Sequence, residues 1–163
     1  MRMDRELEQL AKDVGRRLAL EDMALVTAES CTGGWIAKVM TDIPGSSGCF
    51  DRGFVTYSNE AKQEMLGVSI ETLERYGAVS ETVVQEMVVG ALKQSRGSVA
   101  LSVSGIAGPG GGSADKPVGT VCFAWGIRGG EVNSQQHCFE GDRESVRRQA
   151  VSQALQGVLD LFD

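Results

Sequence analysis

Histidine is nearly missing from this chain. His137 is the only one in 163 residues, so a serine hydrolase built on imidazole would have to use that one position, and a zinc site of histidine ligands is poorly supplied. Cysteine offers no substitute. Cys31, Cys49, Cys122 and Cys138 lie far apart with no C-x-x-C pair, which argues against redox and metal chemistry. No apolar run approaches the roughly 20 residues of a membrane span, and the Met1-Arg2-Met3-Asp4 start has no apolar stretch of the kind that opens a signal peptide, so the expected compartment is the cytoplasm with no membrane partner. Positive charge is also short: 16 Lys and Arg face 22 Asp and Glu, a net charge of −6. That balance excludes an extended nucleic-acid partner, whose phosphates are met by Lys and Arg, but it leaves room for a small ligand with one phosphate.

What remains is a chain with 42% hydrophobic residues, long enough to bury a core without staples. Its 21 glycines against 3 prolines are clustered, and Gly105 to Gly112 reads Gly-Ile-Ala-Gly-Pro-Gly-Gly-Gly. Such a run is a flexible surface loop or a segment where backbone passes close to a ligand.

The spacing of Leu7, Leu10, Ala11, Val14 and Leu18 predicts an amphipathic helix from about 4 to 20. A strand over 24–28 follows, then a tight turn, then a helix from Trp35. A strand over 50–57, short helices over 59–66 and 70–76, and a longer helix capped by Ser80 come next. Strands over 98–104, 118–125 and 131–139 follow, the last two joined through Gly129-Gly130 as a hairpin, and Asp142 caps a final helix. Helices before, between and after strands predict one α/β domain over residues 1–163: a three-layer α/β/α arrangement with a mixed, mostly parallel sheet containing one antiparallel hairpin.

In open α/β sheets, ligands gather where strands end at loops and helix N-termini. Here Glu29–Gly34, Tyr57–Lys62 and Ser104–Gly112 are such ends. Ser30 sits at a strand-to-helix turn. A serine there reads first as an N-cap, yet Thr32-Gly33-Gly34 offers what a cap does not need, a backbone open enough for substrate to reach N–H groups. A nucleophilic serine requires a base, and with histidine scarce the candidate is Lys62. By composition Lys62 reads first as a solvated helix lysine; as a base it would have to be neutral, and each unit by which its pKa falls costs about 1.4 kcal/mol. Tyr57 has a similar ordinary reading as a half-buried strand residue with its hydroxyl at the rim, and Cys31, with no activator nearby, as a small buried filler.

The strings Ala28-Glu29-Ser30-Cys31-Thr32-Gly33-Gly34, Gly53 to Lys62 (GFVTYSNEAK), Ser104-Gly105-Ile106-Ala107-Gly108-Pro109, Lys116 to Val121 (KPVGTV) and Gly141-Asp142-Arg143 resemble the CinA C-terminal domain family, and within it the stand-alone bacterial nicotinamide-nucleotide amidases. The resemblance implies hydrolysis of the carboxamide of nicotinamide mononucleotide to nicotinate mononucleotide and ammonia, a reaction of pyridine-nucleotide recycling. It places the family's serine and lysine dyad on Ser30 and Lys62, its active-site tyrosine on Tyr57, its glycine-loop hydroxyl on Ser104 and its arginine on Arg143. Gly33 and Gly34 would then supply the oxyanion hole, while Thr32, Ser104, Gly105, Gly108 and Arg143 would contact substrate. No metal or organic cofactor is required, and a homo-oligomer, dimer or higher, is expected. The competing readings are a nucleotide-binding or regulatory domain without turnover, and a serine/lysine amidase acting on another small amide.

Overall fold

The computed structural model describes residues 4–163; Met1–Met3, part of the start read above for a leader, lie outside it. Twelve elements follow in order: α1 (Arg5–Glu21), β1 (Leu25–Glu29), α2 (Trp35–Thr41), a short 3-10 turn (Ser46–Gly48), β2 (Phe50–Val55), α3 (Asn59–Leu66), α4 (Ile70–Tyr76), α5 (Glu81–Lys93), β3 (Val99–Gly105), β4 (Thr120–Ile127), β5 (Val132–Cys138) and α6 (Arg143–Asp160). Local chemistry sets most of the helix starts. Asp4, Ser58, Ser69, Ser80 and Asp142 each accept an N–H from the first turn of the helix they precede, the usual way of satisfying donors that have no intrahelical partner. Helix α2 departs from this pattern. Its N-cap position is Gly34, at φ 101°, with no side chain to offer.

The sheet runs β2-β1-β3-β4-β5. Strands β2 and β3 pair with β1 in parallel, while β4 is antiparallel to both β3 and β5. Four of the five strands therefore point one way and β4 alone points back. Helices α1, α2 and α6 pack one face around Leu7, Leu18, Leu25, Ile36, Leu101, Phe123 and Leu155. Helices α3, α4 and α5 pack the other face around Val26, Leu66, Val84, Met87 and Ala124. The expected three layers are present, and no helix among the described residues is long and apolar enough to cross a membrane.

Among the strand boundaries that differ from the sequence reading, two have a clear local reason. The strand expected to run to Tyr57 ends at Val55, because the Thr56 and Tyr57 carbonyls turn to accept from Lys62. The strand expected from Val118 starts at Thr120. Pro117 to Thr120 is still a turn closed by Thr120 N–H on the Pro117 carbonyl, with Gly119 at φ 98°.

This topology puts one end of the sheet to use. The chain leaves β1 toward β2 on one side and returns to β3 on the other, so the carboxyl ends of β1 and β3 flank a switch point. The loops after β1, β2, β3 and β5 all emerge at that end, and the last of them leads into α6.

Helix α6 docks closely on the sheet at one place: Trp125 donates from Nε1 to the Ala154 carbonyl at 2.9 Å, and a Cβ on Gly157 would fall 2.0 Å from the Trp125 ring. Gly157→Ala is therefore expected to destabilise the fold by about 2 kcal/mol despite the better helix propensity of alanine. Urea unfolding of the two proteins measures it; equal midpoints would contradict this packing.

Candidate active site

Lys62 is fully buried, with 1% of its surface exposed. Ser58 caps α3 and places Lys62 on the first turn, facing the sheet. Its Nζ lies 3.0 Å from Ser30 Oγ, 2.9 Å from the Thr56 carbonyl and 3.2 Å from the Tyr57 carbonyl. No carboxylate pairs with it among the described residues, although acids outnumber bases in the chain. Burial pushes its pKa below the ordinary 10.5, and only the neighbouring Cys31 acts the other way. The positive end of α3 works in the same direction as burial. Nζ is within donating reach of the two carbonyls and of Ser30 Oγ, and the Ser30 hydroxyl in turn points to the Tyr57 carbonyl at 3.5 Å.

Ser30, expected as a possible N-cap, does not cap α2. Its own N–H donates to the Val103 carbonyl at 3.0 Å, anchoring it between β1 and β3. Glu29 caps the helix instead. This carboxylate is fully buried and accepts from Thr32 Oγ1 at 2.6 Å, Ile36 N–H at 2.9 Å and Ala37 N–H at 3.1 Å. A carboxylate at a helix N-terminus is favoured by the dipole, and here it occupies the place where an anionic ligand would otherwise dock. The α2 N-terminus is accordingly closed to a phosphate.

The other expected residues fall into three groups. Tyr57, Gly108 and Arg143 meet at the rim. The Arg143 guanidinium donates to the Gly108 carbonyl at 2.8 Å and to the Tyr57 hydroxyl at 3.4 Å, and Tyr57 is 63% exposed. The Tyr57 hydroxyl thus faces Arg143, and it is the Tyr57 carbonyl that touches Lys62. Gly105 abuts the nucleophile turn: a Cβ there would lie 3.1 Å from Cys31 Sγ and 2.7 Å from Val121. Ser104, 1% exposed, shares a sheet face with Ser102 by the two-residue period of a strand, and Ser102 donates to the Val84 carbonyl of α5. That is the face on which α3 carries Lys62.

Two expected residues have other work. Thr32 is fully buried with its hydroxyl committed to Glu29, so it braces the turn and presents no hydroxyl to a ligand. The Gly33 N–H donates to the Ser30 carbonyl at 3.0 Å, so it closes the turn and is not free for an oxyanion. Gly34 N–H has no acceptor among the described residues. His137 on β5 packs its ring against Phe123 of β4 and against Phe139.

Sequence reasoning passed over two residues that shape this site, Glu29 and Arg147. Arg147 donates through Nε to the Cys31 carbonyl at 3.0 Å and through a terminal nitrogen to the Thr32 carbonyl at 3.3 Å. The signal was available: Arg147 is four residues after Arg143, and that spacing puts both on one helix face. A concavity of about 960 Å3 lies behind the turn between α1, α2 and α6 and includes neither Ser30 nor Lys62. Carboxylates outnumber cations along it, which suits a phosphate poorly. Among the described residues no cluster of His, Cys, Asp and Glu is placed to hold a metal ion.

With this geometry in hand, the comparisons with known proteins are specific. The sequence matches the family model described as CinA C-terminal domain over residues 7–162. It is similar to the nicotinamide-nucleotide amidohydrolase PncC of Escherichia coli K12, 58% identical over 98% of this chain and 96% of that one. It is also similar to the protein of the same name from Pseudomonas putida, 51% identical over 93% of this chain and 94% of the relative. Among solved structures it resembles the competence/damage inducible protein CihA from Agrobacterium tumefaciens, with TM-score 0.96 and 44% identity over 100% of this chain and 99% of that one.

The thiol beside Ser30 is a poor competitor for its chemistry. Burial raises the Cys31 pKa to about 12, with the nearby Arg147 opposing, so the thiol stays protonated at any physiological pH. Iodoacetamide at pH 8 on the folded protein is expected to label the exposed Cys138 and leave Cys31 unmodified; peptide mass mapping reads the outcome, and rapid labelling of Cys31 would contradict its burial.

Proposed function

This chain belongs to the CinA C-terminal domain family, and from that membership and the Ser30–Lys62 contact we propose that it is a nicotinamide-nucleotide amidohydrolase working through a serine/lysine dyad. The substrate is nicotinamide mononucleotide and the products are nicotinate mononucleotide and ammonia. The observation that carries the reading is the buried amine, 3.0 Å from the Ser30 hydroxyl and held from behind by two carbonyls.

Neutral Lys62 takes the Ser30 proton as Oγ attacks the carboxamide carbon, giving a tetrahedral oxyanion. The C–N bond then breaks, and the proton on Lys62 goes to the departing nitrogen, which leaves as ammonia. The acyl group is now an ester on Ser30. A water attacks that ester, Lys62 accepts the water's proton, and collapse of the second tetrahedral species releases nicotinate mononucleotide while Ser30 Oγ recovers its proton. The two carbonyls keep Nζ from rotating through these steps, so the lone pair meets Oγ without reorganisation. Gly34 N–H supports the oxyanion. Arg143, with the glycine loop and Tyr57 beside it, receives the phosphate and ribose; the Glu29 carboxylate at the end of β1 caps α2 and leaves this rim as the cationic corner of the site.

Ser30→Ala and Lys62→Ala are each expected to lower ammonia release from nicotinamide mononucleotide by about a thousandfold or more, with circular dichroism unchanged. Near-normal turnover in either would sink the dyad. Binding of the nucleotide with no ammonia from the unaltered protein would favour a regulatory domain, and a panel of other small amides would expose a different substrate.

The pH profile gives a second check. Lys62 must be deprotonated to act, so kcat/KM should rise with pH through a midpoint below 10.5. Stability carries the same sign. The unfolded chain binds the Lys62 proton more tightly than the folded one, so unfolding free energy rises with pH between the lowered value and 10.5, and Lys62→Met should flatten that rise. Urea titrations across this range measure it; an unchanged slope would contradict a desolvated lysine.

A further inference from the structure

The backbone donors around the nucleophile can be counted one by one. Ser30 N–H goes to the Val103 carbonyl, Gly33 N–H to the Ser30 carbonyl and Trp35 N–H to the Thr32 carbonyl. Ile36 and Ala37 N–H go to Glu29. Among the described residues this leaves Cys31, Thr32 and Gly34 without acceptors. Thr32 has no exposed surface, whereas Cys31 retains 6% and Gly34 is partly open, so Thr32 is sealed from any ligand.

Cys31 N–H is the donor next to the attacking oxygen along the chain. A carbon bonded to Ser30 Oγ therefore carries its oxygen close to that N–H, as happens wherever the residue after a nucleophile serves an oxyanion. A peptide unit is planar and trans, with its N–H opposed to its carbonyl. The Ser30 carbonyl is pinned by Gly33 N–H, which fixes the Cys31 N–H on the opposite side of the same plane. The Cys31 carbonyl is pinned by Arg147 Nε, and the Thr32 carbonyl by Arg147 together with Trp35 N–H. Three consecutive planes are thus held, two of them by one guanidinium that reaches across 115 or more residues of chain and rests over the Trp35 ring at 5.6 Å.

We propose that the Cys31 backbone N–H is a donor to the oxyanion, and that Arg147 is the positioning residue that keeps it aimed. The inference rests on Ser30 being the nucleophile. Gly33 contributes by pinning the Ser30 carbonyl, and Gly34 N–H is left as the second donor. Arg147 touches no reacting atom in this account. Its effect belongs to the transition state, because the ground-state amide oxygen carries little of the charge that the donor must meet.

The test uses the full chain, with nicotinamide mononucleotide as substrate, nicotinate mononucleotide as ground-state ligand, and the aldehyde analogue of the substrate as probe. The aldehyde carbon adds Ser30 Oγ, whose proton passes to Lys62, and its oxygen becomes a tetrahedral alkoxide. Arg147→Met is expected to lower kcat by about tenfold or more with KM within about threefold, and to weaken the aldehyde by the same factor as kcat while product affinity is unchanged. A kcat within about twofold of the unaltered protein, or equal weakening of aldehyde and product, would overturn the role of Arg147. Should Arg147→Met fail to fold, a second pair keeps the question open to refutation. Lactic acid at position 31 puts an ester oxygen in place of the N–H of the Cys31→Ala protein and weakens the Ser30 carbonyl as an acceptor only modestly, and about a hundredfold loss of kcat between the two is expected; a loss below about threefold would overturn the donor. Ser30→Ala is run alongside. If it turns over normally, the serine reading falls, and that result is distinct from failure of the Arg147 or Cys31 arms alone.

Discussion

A lysine amine buried without a carboxylate is the constraint on which the rest of this site depends. An isolated ammonium in such a place is costly, and burial pushes the Lys62 pKa below its ordinary value. Two carbonyls and one hydroxyl surround Nζ. An aspartate or glutamate in their place would favour the charged form instead. The chain has carboxylates to spare, and it keeps them away from this amine.

The carboxylate buried next to Ser30 acts on the other side of the turn. Glu29 collects the donors at the start of α2, and Arg147 collects the carbonyls of Cys31 and Thr32. Charged hydrogen bonds of this kind contribute about 1.5–3 kcal/mol each, so the five-residue turn is held from both sides by groups of opposite sign. Ser30 is therefore presented by a rigid support, although the segment contains two glycines at positive φ. Glycine here permits the backbone path, and the charged pair of clamps removes the freedom that glycine would otherwise bring.

Much of the fold was legible because its signals are local. Helices α3, α4 and α5 begin after Ser58, Ser69 and Ser80, whose side chains satisfy the first-turn donors, and the apolar spacing along α5 and α6 matches the faces they bury. Strand ends were less legible, since Val55 ends β2 only because Lys62 draws the next two carbonyls away. Within the site, Ser30, Lys62, Tyr57, Gly108 and Arg143 could be named from motifs. Glu29 and Arg147 were given no roles, because a strand glutamate and a helix arginine have ordinary local readings; Glu29 gathers donors three to eight residues on, and Arg147 reaches carbonyls 115 or more residues away.

The sequence by itself determined which chemistry was open to this protein. One histidine, scattered cysteines and an acidic balance argue against imidazole triads, metals and extended polyanions and point to a hydroxyl and an amine, because a scarce side chain is scarce in every conformation. Which N–H groups are free, which carboxylate closes a helix and which cation remains for a ligand were decided by the tertiary structure. Those properties depend on pairing between strands and helices far apart in the chain, and a hydrogen-bonding group is free or spent only once its neighbours are in place.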